Sequence, residues 1–207
     1  MQKIIDGIVE FRKNDFEEHR SLFKKISREQ NPHTLFIGCS DSRVVPSLIT
    51  KTLPGELFII RNIANIVPPW RESGEYLATT SAIEYAVIKL NVENIIICGH
   101  SNCGGCSALY LEKEELDKIP HTKKWLSLAF SAKEHVENIL LDNDFAAREW
   151  LTEQANILEQ MKHLLSWPFI AEKYKQGTLQ LSGWHYIIET GEIFSYNKEK
   201  KFFEKIN

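Results

Sequence analysis

Three short apolar segments stand out from the mixed pattern of the first half of the chain. They read HTLFIGC (33–39), ELFIIRN (56–62) and NIIICGH (94–100), and each ends in small or polar residues. Continuous apolar runs of this length, rich in β-branched residues, are typical of strands that are buried on both faces of a parallel sheet. The pattern therefore predicts three parallel strands.

Apolar residues at helical spacing surround these strands. The spacing predicts one or two amphipathic helices within residues 1–28 and a crossover helix within residues 74–90. It returns from Ala132 to Leu165, with a break at residues 141–144 that offers N-cap residues for a second helix. Parallel strands joined through helices predict an α/β fold, with a mainly parallel sheet flanked by helices on both faces.

Two further segments have different patterns. Residues 178–197 alternate and contain the turn sequence ETGE, which predicts a hairpin-like edge of the sheet. Residues 111–124 are highly charged and contain a proline, which predicts a solvated connection.

The domain organisation follows from length and composition. A chain of 207 residues with 43% hydrophobic content can bury one core, and no repeat or linker divides it. We predict a single domain over residues 1–207, with a helical arm (1–28), an α/β core (29–197) and a tail (198–207). The tail, KEKKFFEKIN, is expected to be solvated rather than to contact a partner.

Charge and cysteine content exclude several function classes. The net charge of −3 offers no basic face for nucleic acid, and no apolar run approaches the length of a membrane span. The first residues contain acids where a secretory signal needs an apolar core, so we expect a cytoplasmic protein. Four cysteines are too few for a disulfide framework in a chain of this length, which favours metal or redox chemistry.

Candidate metal ligands lie where the predicted strands end. Cys39 ends the first strand and His100 the third, and Cys103 follows in the turn after it. Ligands of open α/β sheets bind beyond the carboxyl ends of the strands. Two thiolates and one imidazole would make a zinc site with one open position, and three-ligand zinc sites are typically catalytic.

The motif CSDSR places two charged residues beside Cys39. Asp41 and Arg43 are two residues apart, so an extended loop would direct both side chains to one side, where Arg43 can hold the Asp41 carboxylate. Such a carboxylate can accept the proton of a zinc-bound water or become a fourth ligand. The alternative for this pair alone is a structural ion pair.

The remaining cysteines have simpler interpretations. Cys98 lies within an apolar strand and is interpreted as a buried small hydrophobic residue. Cys106 completes an H-x-x-C-x-x-C spacing that resembles a zinc knuckle, but one turn further along a helix its side chain should point away from the end of the sheet.

The motif CSDSR, followed by HSNCGG, resembles the β-class carbonic anhydrases, and the likeness extends over roughly residues 28–197. The resemblance implies one Zn²⁺ per chain and reversible hydration of carbon dioxide to bicarbonate and a proton, by attack of zinc-bound hydroxide. It also assigns roles to site residues. Cys39, His100 and Cys103 match the zinc ligands, and Asp41 and Arg43 match the catalytic dyad.

The same resemblance implies how the substrate is held. Gly104 matches a backbone N–H donor near the substrate, and Gln30 matches a glutamine that hydrogen-bonds it in the plant-like branch. Phe58, Ile63 and Tyr85 would wall the pocket and would come from a neighbouring subunit. We therefore expect a homodimer or a higher even homo-oligomer, with the N-terminal helices packed on the partner.

The resemblance also favours one branch of the family. In the other branch a tryptophan three residues before the first cysteine helps to bind an inhibitory bicarbonate, and Phe36 stands at that position. Arg61 and Tyr186 match other members of that regulatory pocket. The loss of the tryptophan and the presence of Gln30 favour the plant-like branch, with water as the fourth ligand.

Two alternatives remain open at the level of sequence. The same scaffold could act on CS2 or COS, because the zinc chemistry is common to these reactions. A non-catalytic zinc protein, in which Cys106 or Asp41 closes the metal shell, is the other.

Overall fold

The computed structural model describes residues 1–72, 77–140 and 144–207. The strands are β1 Thr34–Cys39, β2 Leu57–Asn62, β3 Asn94–His100, β4 Gln180–Tyr186, β5 Ile193–Asn197 and β6 Phe202–Lys205. The helices are α1 Gln2–Lys13, α2 Asp15–Glu18, α3 Arg20–Ile26, α4 Pro46–Thr50, α5 Leu77–Glu84, α6 Gly104–Ser107, α7 Lys113–Leu116, α8 Pro120–Leu126, α9 Phe130–Ile139, α10 Phe145–Leu165 and α11 Pro168–Lys175. The predicted helical residues 74–76, and residues 141–143 of the predicted break, lie outside the described residues.

The six strands form one sheet in the order β2-β1-β3-β4-β5-β6. β1 is parallel to both β2 and β3, and β4 is parallel to β3. β5 and β6 add two antiparallel strands at one side. The predictions of three parallel strands and of an α/β fold with helices around a mainly parallel sheet are confirmed.

The larger core lies between the sheet and its helices. Leu35 and Ile37 of β1 point to one face, where they belong to a buried cluster that includes Ile83 of α5 and Ile157 of α10. Phe36 points to the other face and belongs to a smaller cluster. β1 is therefore buried on both faces, which explains its uninterrupted apolar sequence.

Helix α10 lies very close to the sheet because glycines face it. A Cβ atom at Gly99 would lie 2.8 Å from Ile157, and one at Gly183 would lie 2.6 Å from the Met161 sulfur. Only glycine permits this approach. The predicted N-cap is confirmed, since the Asp144 side chain accepts a hydrogen bond from the Ala147 N–H at the start of α10.

Two predictions about surface segments hold only in part. Residues 111–124 are mostly exposed, as predicted, but they contain α7 and part of α8, and Leu116 is buried in a cluster with Leu109 and Ala129. The tail is not simply solvated, because β6 pairs with β5.

The predicted hairpin of residues 178–197 exists as β4 and β5, which pair antiparallel. β4 is an interior strand, however, because β3 pairs with its other side. The edge of the sheet is β6. The alternating pattern thus identified the turn correctly but not the position of the strands in the sheet.

The predicted N-terminal helices are present as α1, α2 and α3. None of the residues of α1 is buried, although Ile4, Ile8 and other apolar residues lie along it. The rings of Phe11, Phe16 and Phe23 pack on one another within this arm. Among the described residues, no helix combines the length and apolar character needed to cross a membrane.

Candidate active site

The parallel pairing of β1 with β3 brings the predicted metal ligands together. Cys39 is the last residue of β1 and His100 the last of β3, so both lie at the carboxyl edge of the sheet. The ligand atoms of Cys39, His100 and Cys103 all lie within 4.8 Å of one another, and the two sulfurs are 4.0 Å apart. Two sulfurs bound to one tetrahedral zinc would be separated by about 3.8 Å. The three residues could therefore hold one metal ion.

His100 is oriented as a metal ligand would be. Its Nδ1 lies 3.0 Å from the Ser101 carbonyl oxygen, which places the proton on Nδ1 and a lone pair on Nε2. The Nε2 atom is buried and has no hydrogen-bond partner within the described part of the chain. A buried nitrogen without a partner is costly, and a cation beside it would satisfy it.

Without a metal ion the two thiols are held in their protonated form. The pKa of Cys39 is raised to about 12 by its hydrogen bond with Cys103 and by burial. The pKa of Cys103 is likewise raised, with contact from Cys106 as the largest cause. Without a cation both groups stay protonated at neutral pH, whereas a coordinated thiol loses its proton. A divalent ion is what would make these sulfurs effective ligands.

The Asp41 and Arg43 side chains form the expected pair. The Oδ1 atom of Asp41 accepts hydrogen bonds from Arg43 N and Nε, both at 2.9 Å, and Oδ2 accepts one from Nη2 at 2.7 Å. These bonds from Arg43 hold the pKa of Asp41 well below its usual range, so the carboxylate is ionised at neutral pH. Oδ2 also lies 3.9 Å from His100 Nε2. The carboxylate therefore borders the metal-ligand cluster.

Backbone contacts fix the loop that carries this pair. Arg61 donates to the carbonyl oxygen of Cys39 at 3.0 Å and to that of Asp41 at 2.6 Å. The Ser40 N–H donates to the Asn62 carbonyl at 2.8 Å, which extends the β1–β2 pairing past the end of β1. The loop is held by β2, so its charged side chains have a defined direction.

Comparison with known proteins agrees with this geometry. The carbonic anhydrase family model matches residues 34–193. Two carbonic anhydrases of Helicobacter pylori, from strains J99 and 26695, are 46% and 47% identical to this chain over 203 residues, which span 97% of the chain and 92% of each relative. A carbonic anhydrase of Synechocystis is 41% identical, over 95% of this chain and 71% of its own.

Comparison with solved structures identifies the class of carbonic anhydrase. The structure of the β-carbonic anhydrase CcaA superposes with a TM-score of 0.95 at 37% identity, and the match covers 100% of this chain and 92% of that one. The chain belongs to the β-class carbonic anhydrases. It is thus an enzyme of the carbonic anhydrase type. A tetrameric β-carbonic anhydrase of Sordaria macrospora gives a TM-score of 0.78 at 30% identity, over 94% of this chain and 95% of its own.

The remaining residues predicted for this carbonic anhydrase site lie in three parts of the fold. Ile63 lies at the carboxyl edge of the sheet, because a Cβ at Gly105 would lie 3.0 Å from its Cγ2 atom. The space beside Gly104 is open. Phe58 and Tyr85 stack on each other with ring centroids 6.0 Å apart. Gln30 is exposed in the segment that joins α3 to β1.

Phe58 does not line the metal cluster of its own chain. It pairs with Leu35, whereas Asn62 pairs with Cys39, so Phe58 lies about 13 Å along the sheet from the level of Cys39. Tyr85, which stacks on Phe58, is 45% exposed. Any role for these two rings beside a metal cluster requires the cluster of another subunit.

The three residues at positions of the regulatory pocket, Phe36, Arg61 and Tyr186, all have defined partners. Phe36 is fully buried and packs edge-to-face on Trp184, with ring centroids 6.3 Å apart. Tyr186 is paired with His100 in the β3–β4 register. The guanidinium of Arg61 is engaged with the loop after β1, as described above.

The other two cysteines are buried. Cys98 is fully buried beside Phe36 and Ile96, which confirms its interpretation as a small core residue. Cys106 is buried in a second cluster near Cys39 and Cys103. Within the described residues, the group able to hold a metal contains Cys39, His100 and Cys103 without Cys106.

Two buried residues at the site escaped the sequence reasoning. Glu153 of α10 accepts a hydrogen bond from the Cys103 N–H at 2.9 Å and contacts His185 Nε2 at 2.9 Å. Both residues are at most 2% exposed. A signal existed, because Glu153 lies on the same helical stripe as Ile157 and Leu164, which face the core.

Proposed function

We propose that this chain uses one Zn²⁺ ion, held by Cys39, His100 and Cys103, to catalyse the reversible hydration of carbon dioxide to bicarbonate and a proton. The observation that carries the proposal is the buried His100 Nε2 atom, which has no partner within the described residues and lies beside two thiols. Family membership supplies the reaction. Zinc in a three-ligand site supplies a strong nucleophile by lowering the pKa of a coordinated water from about 15.7 toward about 7.

Asp41 would position the attacking water. Its Oδ1 atom already accepts two hydrogen bonds from Arg43, whereas Oδ2 accepts one and so has a second acceptor site. Oδ2 is also the oxygen that lies 3.9 Å from His100 Nε2. This free acceptor site, on an ionised carboxylate at the edge of the cluster, suits acceptance of the water's hydrogen and orientation of its lone pair toward carbon.

Two donors would stabilise the charge that develops on the bicarbonate oxygens. A Cβ atom at Gly104, next to Cys103, would meet nothing within 4 Å, so there is open space at this residue in which its N–H could meet a substrate oxygen. Gln30 is exposed and would contribute its amide from a neighbouring subunit or from this one. Donors that are already in place before the reaction are effective because they need no reorganisation.

The pocket walls support an oligomer. Phe58 and Tyr85 are too far from their own metal cluster to wall it, so as pocket residues they would belong to a neighbour's site. Ile63 was expected to come from the neighbour too, but it lies at the same edge of the sheet as the metal cluster of its own chain. The exposed apolar residues of α1 offer a surface for the same neighbour. We propose a homodimer or a higher even homo-oligomer that acts in the cytoplasm, with carbon dioxide and bicarbonate as its small-molecule partners.

The coordination chemistry proposed is that of the plant-like branch. Asp41 makes three hydrogen bonds with Arg43, which hold the carboxylate beside the group of metal ligands and not within it. Phe36 contributes a ring without a hydrogen-bond donor. Both observations favour water as the fourth ligand.

The proposed function is tested by stopped-flow hydration of carbon dioxide on protein with a measured zinc content. We expect one zinc per chain and fast turnover that rises smoothly between about pH 6.5 and about pH 9. Turnover with CS2 or COS in preference to carbon dioxide would reassign the substrate. A zinc-loaded protein without turnover on any of the three would show a structural zinc site instead.

The role of the arm gives a separate prediction. Replacing Ile8 by glutamate puts a charge on the apolar face of α1, where Ile8 is 56% exposed. In the proposed oligomer Ile8 would be buried at the subunit interface, so losing this contact in each arm should weaken subunit association by about 10- to 100-fold. The apparent molecular mass on size-exclusion chromatography and the specific activity should then fall together on dilution, because each active site needs residues of the neighbouring subunit.

Lys3→Gln provides the matched control for this measurement. It produces the same change in net charge on the opposite, polar face of α1 and should leave association unchanged. A monomeric Ile8→Glu variant with full activity would refute a site shared between subunits.

A further inference from the structure

A single peptide group beside the metal cluster is held at both of its ends. The carbonyl oxygen of Asn102 accepts a hydrogen bond from Arg43 Nη2 at 3.1 Å, and the N–H of the next residue, Cys103, donates to Glu153 Oε1 at 2.9 Å. We propose that Glu153, braced by His185, is a positioning residue that fixes this peptide and thereby directs the Cys103 sulfur toward the metal. The inference rests on the zinc site of the proposed function.

The turn that contains this peptide is held by hydrogen bonds on both sides of Asn102. Asn102 has a positive φ of 53°, a left-handed conformation that asparagine adopts more readily than most residues. Its preceding residue is anchored to β4, because the Ser101 N–H donates to the Tyr186 carbonyl at 2.9 Å. After Asn102, the hydrogen bond from the Cys103 N–H to Glu153 ties the turn to α10. Removing that bond would free the peptide to rotate, and Cys103 with it.

Close packing explains how a carboxylate reaches this peptide from a helix. Ile157, one turn after Glu153, lies against Gly99 of β3 and Gly183 of β4, where a Cβ atom would approach it to 2.8 Å. The helix therefore lies closer to these strands than a side chain would allow. That approach places Glu153 beside the turn that follows β3.

His185 braces the other oxygen of the carboxylate. Its Nε2 lies 2.9 Å from Glu153 Oε2, and Gly99 pairs with it in the sheet. Trp150 packs edge-to-face on the imidazole with ring centroids 4.7 Å apart. Each oxygen of the carboxylate thus has its own partner, which limits rotation of the side chain. The hydrogen bond to the Cys103 N–H therefore has a defined direction.

This arrangement requires the length of the side chain at position 153 rather than its charge. Glutamine at position 153 would keep the side-chain length and an oxygen for the Cys103 N–H, and its amide could donate to His185 in the other tautomer. The Nδ1 proton of that tautomer would be buried without an acceptor among the described residues, which should lower stability but leaves the contact with Cys103 intact. Aspartate would keep the charge but withdraw the carboxylate by one carbon, so that it could not span both partners. The two substitutions therefore separate the two properties.

The test measures zinc affinity by competition with a chelator at fixed pH, together with the absorption spectrum of the cobalt-substituted protein. We expect Glu153→Asp to weaken zinc binding by about 10- to 100-fold and to change the cobalt spectrum. Glu153→Gln should stay within about threefold of the unmodified protein. The opposite order, or equal affinity in both variants, would overturn the proposal.

Gln160→Leu is the matched control for loss of a buried polar group on α10. Gln160 is fully buried and accepts a hydrogen bond from the Val67 N–H at 2.8 Å, away from the Cys103 turn. Its replacement should lower the unfolding midpoint but leave zinc affinity within about threefold. A loss of zinc affinity equal to that of Glu153→Asp would mean that loosening of α10 in general explains the effect, and would overturn the proposal.

If the Glu153→Asp protein does not fold, a second pair of variants tests the same proposal. His185→Gln keeps a donor for Glu153 and should retain zinc affinity, whereas His185→Leu leaves the carboxylate oxygen unpaired and should weaken it by about tenfold. Equal affinity of these two would contradict the bracing role. Absence of zinc from the unmodified protein would instead refute the proposed function itself, so the two failures are distinguishable.

Discussion

Replacing Cys39 by alanine is expected to abolish stable zinc binding and reduce carbon dioxide hydration to the rate without enzyme. Zinc held by four protein ligands is bound with about 10–16 kcal/mol, so one thiolate contributes about 3 kcal/mol or more, which corresponds to an affinity loss on the order of 10²- to 10³-fold. Cys39 also defines the geometry, since its sulfur lies 4.0 Å from that of Cys103. Metal analysis after dialysis and a hydration assay with added zinc measure the two effects.

Cys98 and Cys106 provide matched controls for this substitution. Both are buried cysteines, at 0% and 3% exposure, and neither belongs to the metal-ligand group found among the described residues. Cys98→Ala and Cys106→Ala should therefore retain one zinc per chain and most of the activity. Loss of zinc from Cys106→Ala would contradict the ligand assignment, and so would retention of zinc by Cys39→Ala.

Local sequence was enough to predict the strands that form the site. β1 and β3 are buried on both faces, so their residues are apolar without interruption, and their ends are marked by Cys39 and His100. Once two such strands are parallel, their carboxyl ends must lie at the same edge of the sheet. The meeting of Cys39, His100 and Cys103 follows from this rule, and the pairing of Asp41 with Arg43 follows from their spacing.

The segments whose structure depends on distant partners were predicted less well. β6 is a strand because β5 presents an open edge to it, and nothing within the charged sequence of residues 198–207 indicates that edge. Residues 111–124 contain α7 and the start of α8, and both helices are anchored because Leu116, and Leu126 just beyond the segment, are buried against other parts of the chain. In both segments the charged residues are numerous but exposed, so they concealed the few apolar residues that decide the structure.

Glu153 and His185 were missed for a related reason. A polar residue on an apolar helical stripe shows that something buried must pair with it, but the sequence does not name the partner. That partner is fixed by the crossing of α10 over Gly99 and Gly183, a feature of the tertiary fold. The crossing joins Glu153 to the same peptide that Arg43 contacts, so the two sides of the metal cluster are connected through one peptide group.

Replacing Asp41 by asparagine should keep the zinc and remove most of the turnover. Arg43 donates two hydrogen bonds to Oδ1 and one to Oδ2, so an amide nitrogen at either position would face a donor. With the nitrogen at the Oδ2 position the variant loses the acceptor for the attacking water, and with the nitrogen at the Oδ1 position it loses the acceptor for two Arg43 hydrogen bonds that hold the side chain in place. Loss of a positioned proton acceptor typically costs about 10²- to 10⁴-fold in rate. We expect a fall of that size in kcat, with zinc content unchanged because Asp41 is not one of the three proposed ligands.

Asp117→Asn is the control that separates this effect from the loss of any ion-paired aspartate. Asp117 contacts Lys123 at 2.5 Å in an exposed pair, and its substitution should leave kcat unchanged. If Asp41→Asn retained full turnover, Asp41 would be only the structural partner of Arg43. If it lost zinc as well as turnover, the carboxylate would be a metal ligand, and the site would be closed by protein rather than open to water. Only the retention of zinc together with a loss of kcat assigns Asp41 the role of orienting water, because that role requires an acceptor beside the metal rather than on it.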